Sequence, residues 1–134
     1  MKVKDKDIIL RSWYLDTDEH LRYAGYAIFS SYFRNEDLNQ IDILLGNEIL
    51  ERIKLTIASE PLTIQNAMNN AVVMAGLDVR LLVEKATEVA LHIGHVMPLV
   101  ALHQCNIQSA YDYIIRYQDN PTYSRVARIK SLKS

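Results

Sequence analysis

The strongest constraint on this chain is the spacing of its apolar residues, which recur every three or four positions over most of the sequence. No segment of useful length alternates between apolar and polar residues, as a half-exposed strand would. Four glycines and three prolines also leave few turn residues for a β architecture with many turns. The period matches an α-helix with one apolar face and predicts an all-α protein. The clearest stripe consists of Leu38, Ile41, Leu45, Ile49, Ile53 and Ile57.

Local signals divide the first half of the chain into helices. Asp16 and Glu19 match a capping box, in which two side chains satisfy free amides of the first helical turn. The helix that follows, over residues 18–34, is apolar on two sides, so we expect it to be the central helix. The polar residues 35–37 end it. A Gly-Asn pair at residues 46–47 either splits the next stripe into two helices or lies within one.

The second half contains a similar series of breaks. Thr63 is the predicted N-cap of a helix that ends at Ala75. Gly76 fits the position just past that end, where a left-handed conformation is common, and Asp78 fits the cap of the next helix. That next helix is predicted over residues 79–92.

A proline then interrupts the pattern, because it lacks a backbone donor and clashes with the preceding turn. Pro98 therefore ends or kinks the helix, and a short helix is predicted over residues 98–104. Asn106 is the predicted cap of a last strong helix, which residues 120–121 end. These breaks predict a compact bundle of six or seven short-to-medium helices with short connections.

The composition is that of one globular domain, with 49% apolar and 23% charged residues among 134. Residues 1–120 are predicted to form this single helical domain, and residues 121–134 a basic C-terminal tail or a short terminal helix. Four of the 15 basic residues follow residue 119, and none of the 16 acidic residues does. The preceding part therefore carries 11 basic and 16 acidic residues, which makes an acidic body with a basic tail.

Residues 89–111 contain no Lys, Arg, Asp or Glu, and this span is long enough to cross a bilayer. It also contains His92, His95 and His103, whose polar rings would be costly in hydrocarbon. We therefore expect a buried helix pair here and no membrane partner. The single cysteine, Cys105, excludes an internal disulfide and favours a cytoplasmic protein, or a virion component made in the cytoplasm.

The same histidines suggest a metal site. Glu88 and His92 are four residues apart and His92 and His95 three apart, so one helix can bring all three to one metal ion. His103 joins them only if the helix continues straight through the proline at 98. The alternative, which we favour, is that these residues flank an apolar helix face as exposed or interface histidines.

Residues 71–82 contain helix, glycine turn, cap and helix in the order of a helix-turn-helix motif, and the Ala-Gly-Leu-Asp turn resembles that of many such motifs. A DNA-binding unit would then cover residues 64–93, with Arg80 and Lys85 on the recognition helix. Glu84 and Glu88 would oppose phosphate binding. The basic tail would add contacts to nucleic acid or to an acidic partner from Arg125, Arg128, Lys130 and Lys133.

Tyrosine is unusually frequent, with eight residues against two phenylalanines and one tryptophan. A tyrosine packs as an aromatic ring but needs water or a partner at its hydroxyl, so it is common at domain edges and at interfaces. Packing at the edge of the core is the plainer interpretation. The alternative is an interaction surface formed by Tyr23, Tyr26, Tyr111, Tyr113 and Tyr117.

The chain has no glycine-rich phosphate loop, nucleophile elbow or His-Glu-x-x-His motif, so we expect neither an enzyme nor a cofactor. The predicted function is a non-enzymatic protein–protein interaction or assembly module that can self-associate, for example a small phage or mobile-element component. The first alternative is the helix-turn-helix DNA-binding regulator, and the second is the metal-binding helical protein. The predicted partner is another protein or a second copy, with nucleic acid as the partner under the first alternative.

Overall fold

The computed structural model describes residues 12–97 and 108–133, and its regular elements there are helices. Within these stretches one isolated antiparallel bridge, between His95 and Ser109, is the only β pairing. Three short 3₁₀ helices lie at Leu38–Gln40, Ile57–Ser59 and Arg80–Leu82. The predicted all-α class is confirmed. The α-helices bounded within the described residues are α1 (Glu19–Asn35), α2 (Ile43–Thr56), α3 (Leu62–Asp78), α4 (Val83–Ile93), α5 (Ala110–Tyr117) and α6 (Arg125–Lys133).

Helix α3 lies at the centre of the bundle and contacts each of the other five helices. It carries no charged residue before Asp78, so it can be covered on all sides without burying an unpaired charge. The prediction that residues 18–34 form the central helix is therefore wrong. Helix α1 packs mainly on α3, with the most extensive contact of any helix pair.

Helix α1 contributes an aromatic cluster to the core. Phe29 contacts Tyr14 and Tyr32 edge-on, with ring centroids 5.9 and 6.2 Å apart. Tyr26 meets Tyr14 edge-on at 6.1 Å, and Phe33 completes the group. Edge-to-face contacts of this kind add to the stabilisation from burial alone. Helix α1 has the two apolar sides that the sequence predicts, and these sides face the aromatic cluster and α3.

Gly46, which was left as either a helix end or a residue within one helix, and Gly76, which was predicted just past a helix end, both lie inside helices. Gly46 is buried within an uninterrupted α2, where an added Cβ would lie 2.7 Å from a methyl of Leu82. Gly76 is buried within α3, where an added Cβ would lie 2.6 Å from the terminal methyl of Ile114. Both glycines allow a close helix contact, and the predicted helix end at Ala75 is wrong.

Several predicted caps shift by one or two residues. Asp18, not Asp16, is the N-cap of α1, and its carboxylate accepts from the amides of His20 and Leu21. Helix α3 begins after Pro61 without a side-chain cap, so Thr63 lies inside its first turn. The predicted end of α1 at residues 35–37 agrees with the structure, because Glu36 is its C-cap.

The region around the histidines is less helical than predicted. Helix α4 ends at Ile93 because Gly94 adopts a φ of +66°, a conformation that favours glycine. Ser109 caps α5 by accepting from the amide of Asp112. The predicted cap Asn106 and the predicted helix 98–104 lie outside the described residues. Within those that are described, no helix has the length and apolarity needed to cross a membrane.

Two tyrosines of α1 provide a matched test of this packing. The hydroxyl of Tyr26 is fully buried and has no hydrogen-bond partner among the described residues. The hydroxyl of Tyr32 donates to the carbonyl of Gln40 at 3.2 Å and accepts from the amide of Asp42 at 2.7 Å. Tyr32→Phe should lower the free energy of unfolding by about 1 kcal/mol, whereas Tyr26→Phe should leave it unchanged or raise it. Urea unfolding followed by circular dichroism measures both, and an equal loss in the two variants would contradict this account.

Candidate functional site

A groove with a volume of about 740 Å³ opens beside α6. Its walls come from the 3₁₀ helix before α2, the start of α2, the connection between α3 and α4, and α6. Most of the lining is apolar, and its polar residues are Asn39, Asp78, Arg80 and Lys130. We call this the basic groove, and its apolar lining consists of Leu38, Ile43, Val79, Leu81, Val126 and Ile129.

Positive side chains dominate the surroundings of the basic groove. Arg80 and Lys130 line it and are exposed. Arg34, in the last turn of α1, and Arg128 lie close enough to Asp78 to act on its charge. Arg125 is a fifth cation beside the groove, and Asp78 is the acidic residue of the groove lining. This excess stands out in a chain whose net charge is −1.

Arg125 holds α6 in place. Its guanidinium donates to the carbonyl oxygens of Phe33 at 2.6 Å and Glu36 at 2.7 Å, at the C-terminal end of α1. Its Nε donates to the carbonyl of Asp78, and its backbone amide donates to the carboxylate of Asp78 at 3.1 Å. The last carbonyls of a helix lack partners within the helix. A cation at this end also interacts favourably with the helix dipole. Arg125 was predicted to contact nucleic acid, but its guanidinium is already committed to these carbonyls.

Ser124 completes the junction between α6 and α3. Its side chain is buried, and the hydroxyl donates to the carbonyl of Leu77 at 2.7 Å and accepts from the amide of Ala127. Burial raises the pKa of Asp78, while the amide and guanidinium of Arg125 favour the ionised form. Residues 125–133, predicted as either a tail or a short helix, thus form a helix whose first turn is anchored to the core.

Of the remaining basic residues singled out in the sequence, three contribute exposed side chains near the groove: Arg80, Arg128 and Lys130. Lys133 is the last residue of α6, and its side chain is not described. Lys85 lies elsewhere, on α4, and its ammonium forms an ion pair with Glu51 of α2 and a longer contact of 3.7 Å with Glu88. Lys85 is therefore not available as the phosphate contact that the helix-turn-helix prediction assigned to it.

The helix-turn-helix prediction also placed its turn incorrectly. Helix α3 continues to Asp78, and a 3₁₀ helix rather than a glycine turn leads into α4. Glu88 of α4 accepts from Lys54 of α2 at 2.7 Å, so α4 pairs through its charged side chains with α2. This face of α4 is occupied by ion pairs within the chain.

The metal triad is not assembled. Lys54 forms an ion pair with Glu88, which lowers the pKa of the Glu88 carboxyl and balances its negative charge. Lys85 adds to this effect. His95 follows the positive φ of Gly94, so it does not continue the helical face that carries His92. Among the described residues no group of three or more potential ligands comes together. His103 lies outside these residues.

The tyrosines predicted as one interaction surface lie in different environments. Tyr26 is fully buried, so its inclusion was wrong. Tyr23 is exposed, whereas the three tyrosines of α5 are half-buried and pack against the core. Tyr113 and Tyr117 have ring centroids 4.7 Å apart. Tyr123, which the sequence analysis did not select, lies against Tyr117 at 4.4 Å.

Arg34, Ser124 and Tyr123 were therefore missed by the sequence analysis. Ser124 had a usable signal, because a serine directly before an amphipathic basic segment is a common N-cap. Arg34 had none, since an arginine in a last helical turn is ordinary helix composition. Arg34 belongs to the candidate site because of where α6 lies, and α6 is distant from Arg34 in the sequence.

No protein-family model matches the sequence, and no curated protein matches it significantly. A solved structure is similar, with a TM-score of 0.75 and 24% sequence identity. It represents a new family of proteins related to the HEAT-like repeat DNA glycosylases, with affinity for branched DNA structures. The match covers 89% of this chain, and the chain spans about half the length of that protein, 52%. At this identity the likeness shows a shared helical fold.

The anchoring role of Arg125 can be tested by stability. Arg125→Ala leaves two carbonyls of α1 and one of α3 without their donor, and should lower the free energy of unfolding by about 2–3 kcal/mol. Arg128→Ala is the matched control, because Arg128 makes one bond of 3.3 Å to the carbonyl of Pro121 on the surface. It should change the free energy of unfolding by less than about 0.5 kcal/mol. Equal losses in urea titrations would rule out the anchoring role.

Proposed function

We propose that the chain binds nucleic acid through contacts between phosphates and the exposed cations of the basic groove. The observation that carries the proposal is the local excess of positive charge around the groove. Arg80 and Lys130 line the groove. Arg34 and Arg128 lie beside it, close enough to Asp78 to act on its charge. Phosphate contacts of this kind supply most of the sequence-independent affinity for DNA.

The anchored helix makes this charge a fixed feature of the surface. Arg125 and Ser124 tie the first turn of α6 to α1 and α3, so Arg128 and Lys130 extend from a positioned helix. Preorganised side chains lose less conformational entropy on binding than those on a loose tail. The similar solved structure, whose family has affinity for branched DNA, supports the same ligand class for this chain.

The proposal includes binding and no catalytic step. Asp78 is the carboxylate that lines the groove, and it already accepts from the backbone amide of Arg125. Its position is explained by its role in anchoring α6. We therefore expect a branched or other DNA ligand to be bound and released unchanged.

Fluorescence anisotropy with a labelled four-way DNA junction at low salt tests this proposal. The double variant Arg80→Ala/Lys130→Ala should bind more weakly, and the slope of log affinity against log salt should become shallower by about two units, one per lost phosphate contact. Both side chains are exposed, so the fold should be retained.

Arg52→Ala provides the control, because Arg52 is also exposed but belongs to α2 and does not line the groove. It should leave the salt slope unchanged. Absence of any wild-type binding at low salt would refute the proposal, as would an equal change of slope in the control and in the double variant.

Protein–protein interaction is the second candidate, and exposed leucines favour it. Leu81 in the basic groove is 69% exposed, and Leu132 on α6 is 82% exposed. Contiguous apolar patches that remain open to solvent mark contact surfaces, and Leu81 lies in the groove lining with five other apolar residues. Sedimentation velocity at high micromolar concentration should show self-association of the wild type that Leu81→Glu abolishes. A wild type that stays monomeric would exclude self-association through this surface.

A further inference from the structure

Three tyrosine rings form a continuous row along α5 and the loop before α6. The ring centroids of Tyr113 and Tyr117 are 4.7 Å apart with planes inclined at 53°, and those of Tyr117 and Tyr123 are 4.4 Å apart at 45°. We call this row the tyrosine ladder. Its inner members are half-buried against the core, whereas Tyr123 at its outer end is 50% exposed.

Arg116 and Arg128 lie near the tyrosine ladder. The guanidinium carbon of Arg116 lies 5.9 Å from the ring centroid of Tyr117. Arg128 donates to the carbonyl of Pro121, two residues before Tyr123. Burial raises the pKa of Tyr113, and Arg34 is close enough to oppose that shift. The acidic residues of this region include Asp112 of α5 and Asp119, and Asp119 lines a second groove beside α6.

The ladder and the basic groove are neighbours on the surface. Arg34 acts on the charge of Asp78 in the groove and on Tyr113 in the ladder. Val126 and Lys130 of α6 line both the basic groove and the second groove, whose lining includes Pro121. Tyr123 lies two residues before α6, so its exposed ring and the α6 cations Arg128 and Lys130 belong to one continuous segment of the chain.

We propose that Tyr123 stacks on an unpaired nucleobase while the flanking arginines bind the adjacent phosphates. This inference rests on the proposed function and names its ligand class as nucleic acid with unpaired nucleotides. An aromatic ring open to solvent beside guanidinium groups is the arrangement that single-stranded nucleic acid uses, because every base presents a π face and every nucleotide a phosphate. A fully paired duplex keeps its bases stacked on one another and leaves a free face only at its two ends.

The test compares anisotropy of a labelled single strand of about 20 nucleotides with that of its blunt duplex, a length that exceeds common binding-site sizes. Tyr123→Leu removes the ring and should weaken single-strand binding about 10-fold while changing duplex binding by less than about twofold. Tyr123→Phe retains the ring and should bind both DNAs as the wild type does. Because Tyr123 is half exposed, thermal melting should show all three proteins folded.

A 2-aminopurine base placed in the single strand reports stacking directly, since its fluorescence falls when it stacks. The wild type and Tyr123→Phe should quench it, and Tyr123→Leu should not. Wild-type DNA binding with no difference between Tyr123→Leu and Tyr123→Phe on the single strand would overturn the stacking inference and leave the proposed function standing. A wild type that binds neither DNA at low salt would overturn both.

Discussion

The guanidinium of Arg125 connects the end of α1 to the end of α3, and much of the candidate site depends on this one group. The guanidinium donates to the carbonyls of Phe33 and Glu36, and the backbone amide of Arg125 donates to the carboxylate of Asp78. These contacts fix the direction in which α6 leaves the core. Together with the bond from the Ser124 hydroxyl to the carbonyl of Leu77, they give Arg128 and Lys130 a defined position relative to Arg34 and Arg80.

The junction is possible because the C-terminal half of α3, residues 71–78, is almost entirely buried. Between Leu62 and Leu77 the helix has no charged residue, and Gly76 lets Ile114 of α5 approach its backbone. The close packing brings the ends of α1, α3 and α5 to one end of the bundle. That end of the bundle carries the basic groove. The tyrosine ladder is near it, because Arg34 beside the groove is close enough to Tyr113 to act on its pKa.

Much of the fold could be predicted from the sequence, because helical spacing and polar breaks are local signals. The stripe over residues 38–58 and the end of α1 were predicted in this way. The centre of the bundle was not, because the two-sided pattern of α1 predicts burial but does not say which helix covers it. The absence of charge along α3 was the usable signal for its central position.

The site was less accessible to sequence reasoning. Arg80, Arg128 and Lys130 were selected from charge alone, but charge does not reveal which cations are already paired. Lys85 and Arg125 looked equivalent to them, and only the structure shows Glu51 beside the first and helix carbonyls around the second. Pairings between residues 34 to 92 positions apart are set by tertiary packing, which no local pattern encodes.

Amide hydrogen exchange in the free chain and with a saturating branched DNA tests the central claim most directly. The account predicts slower exchange in the bound state at residues 34–40, 79–82 and 120–131, with little change along α2 and α4. Protection confined to α2 and α4, or no protection at saturating DNA, would contradict it.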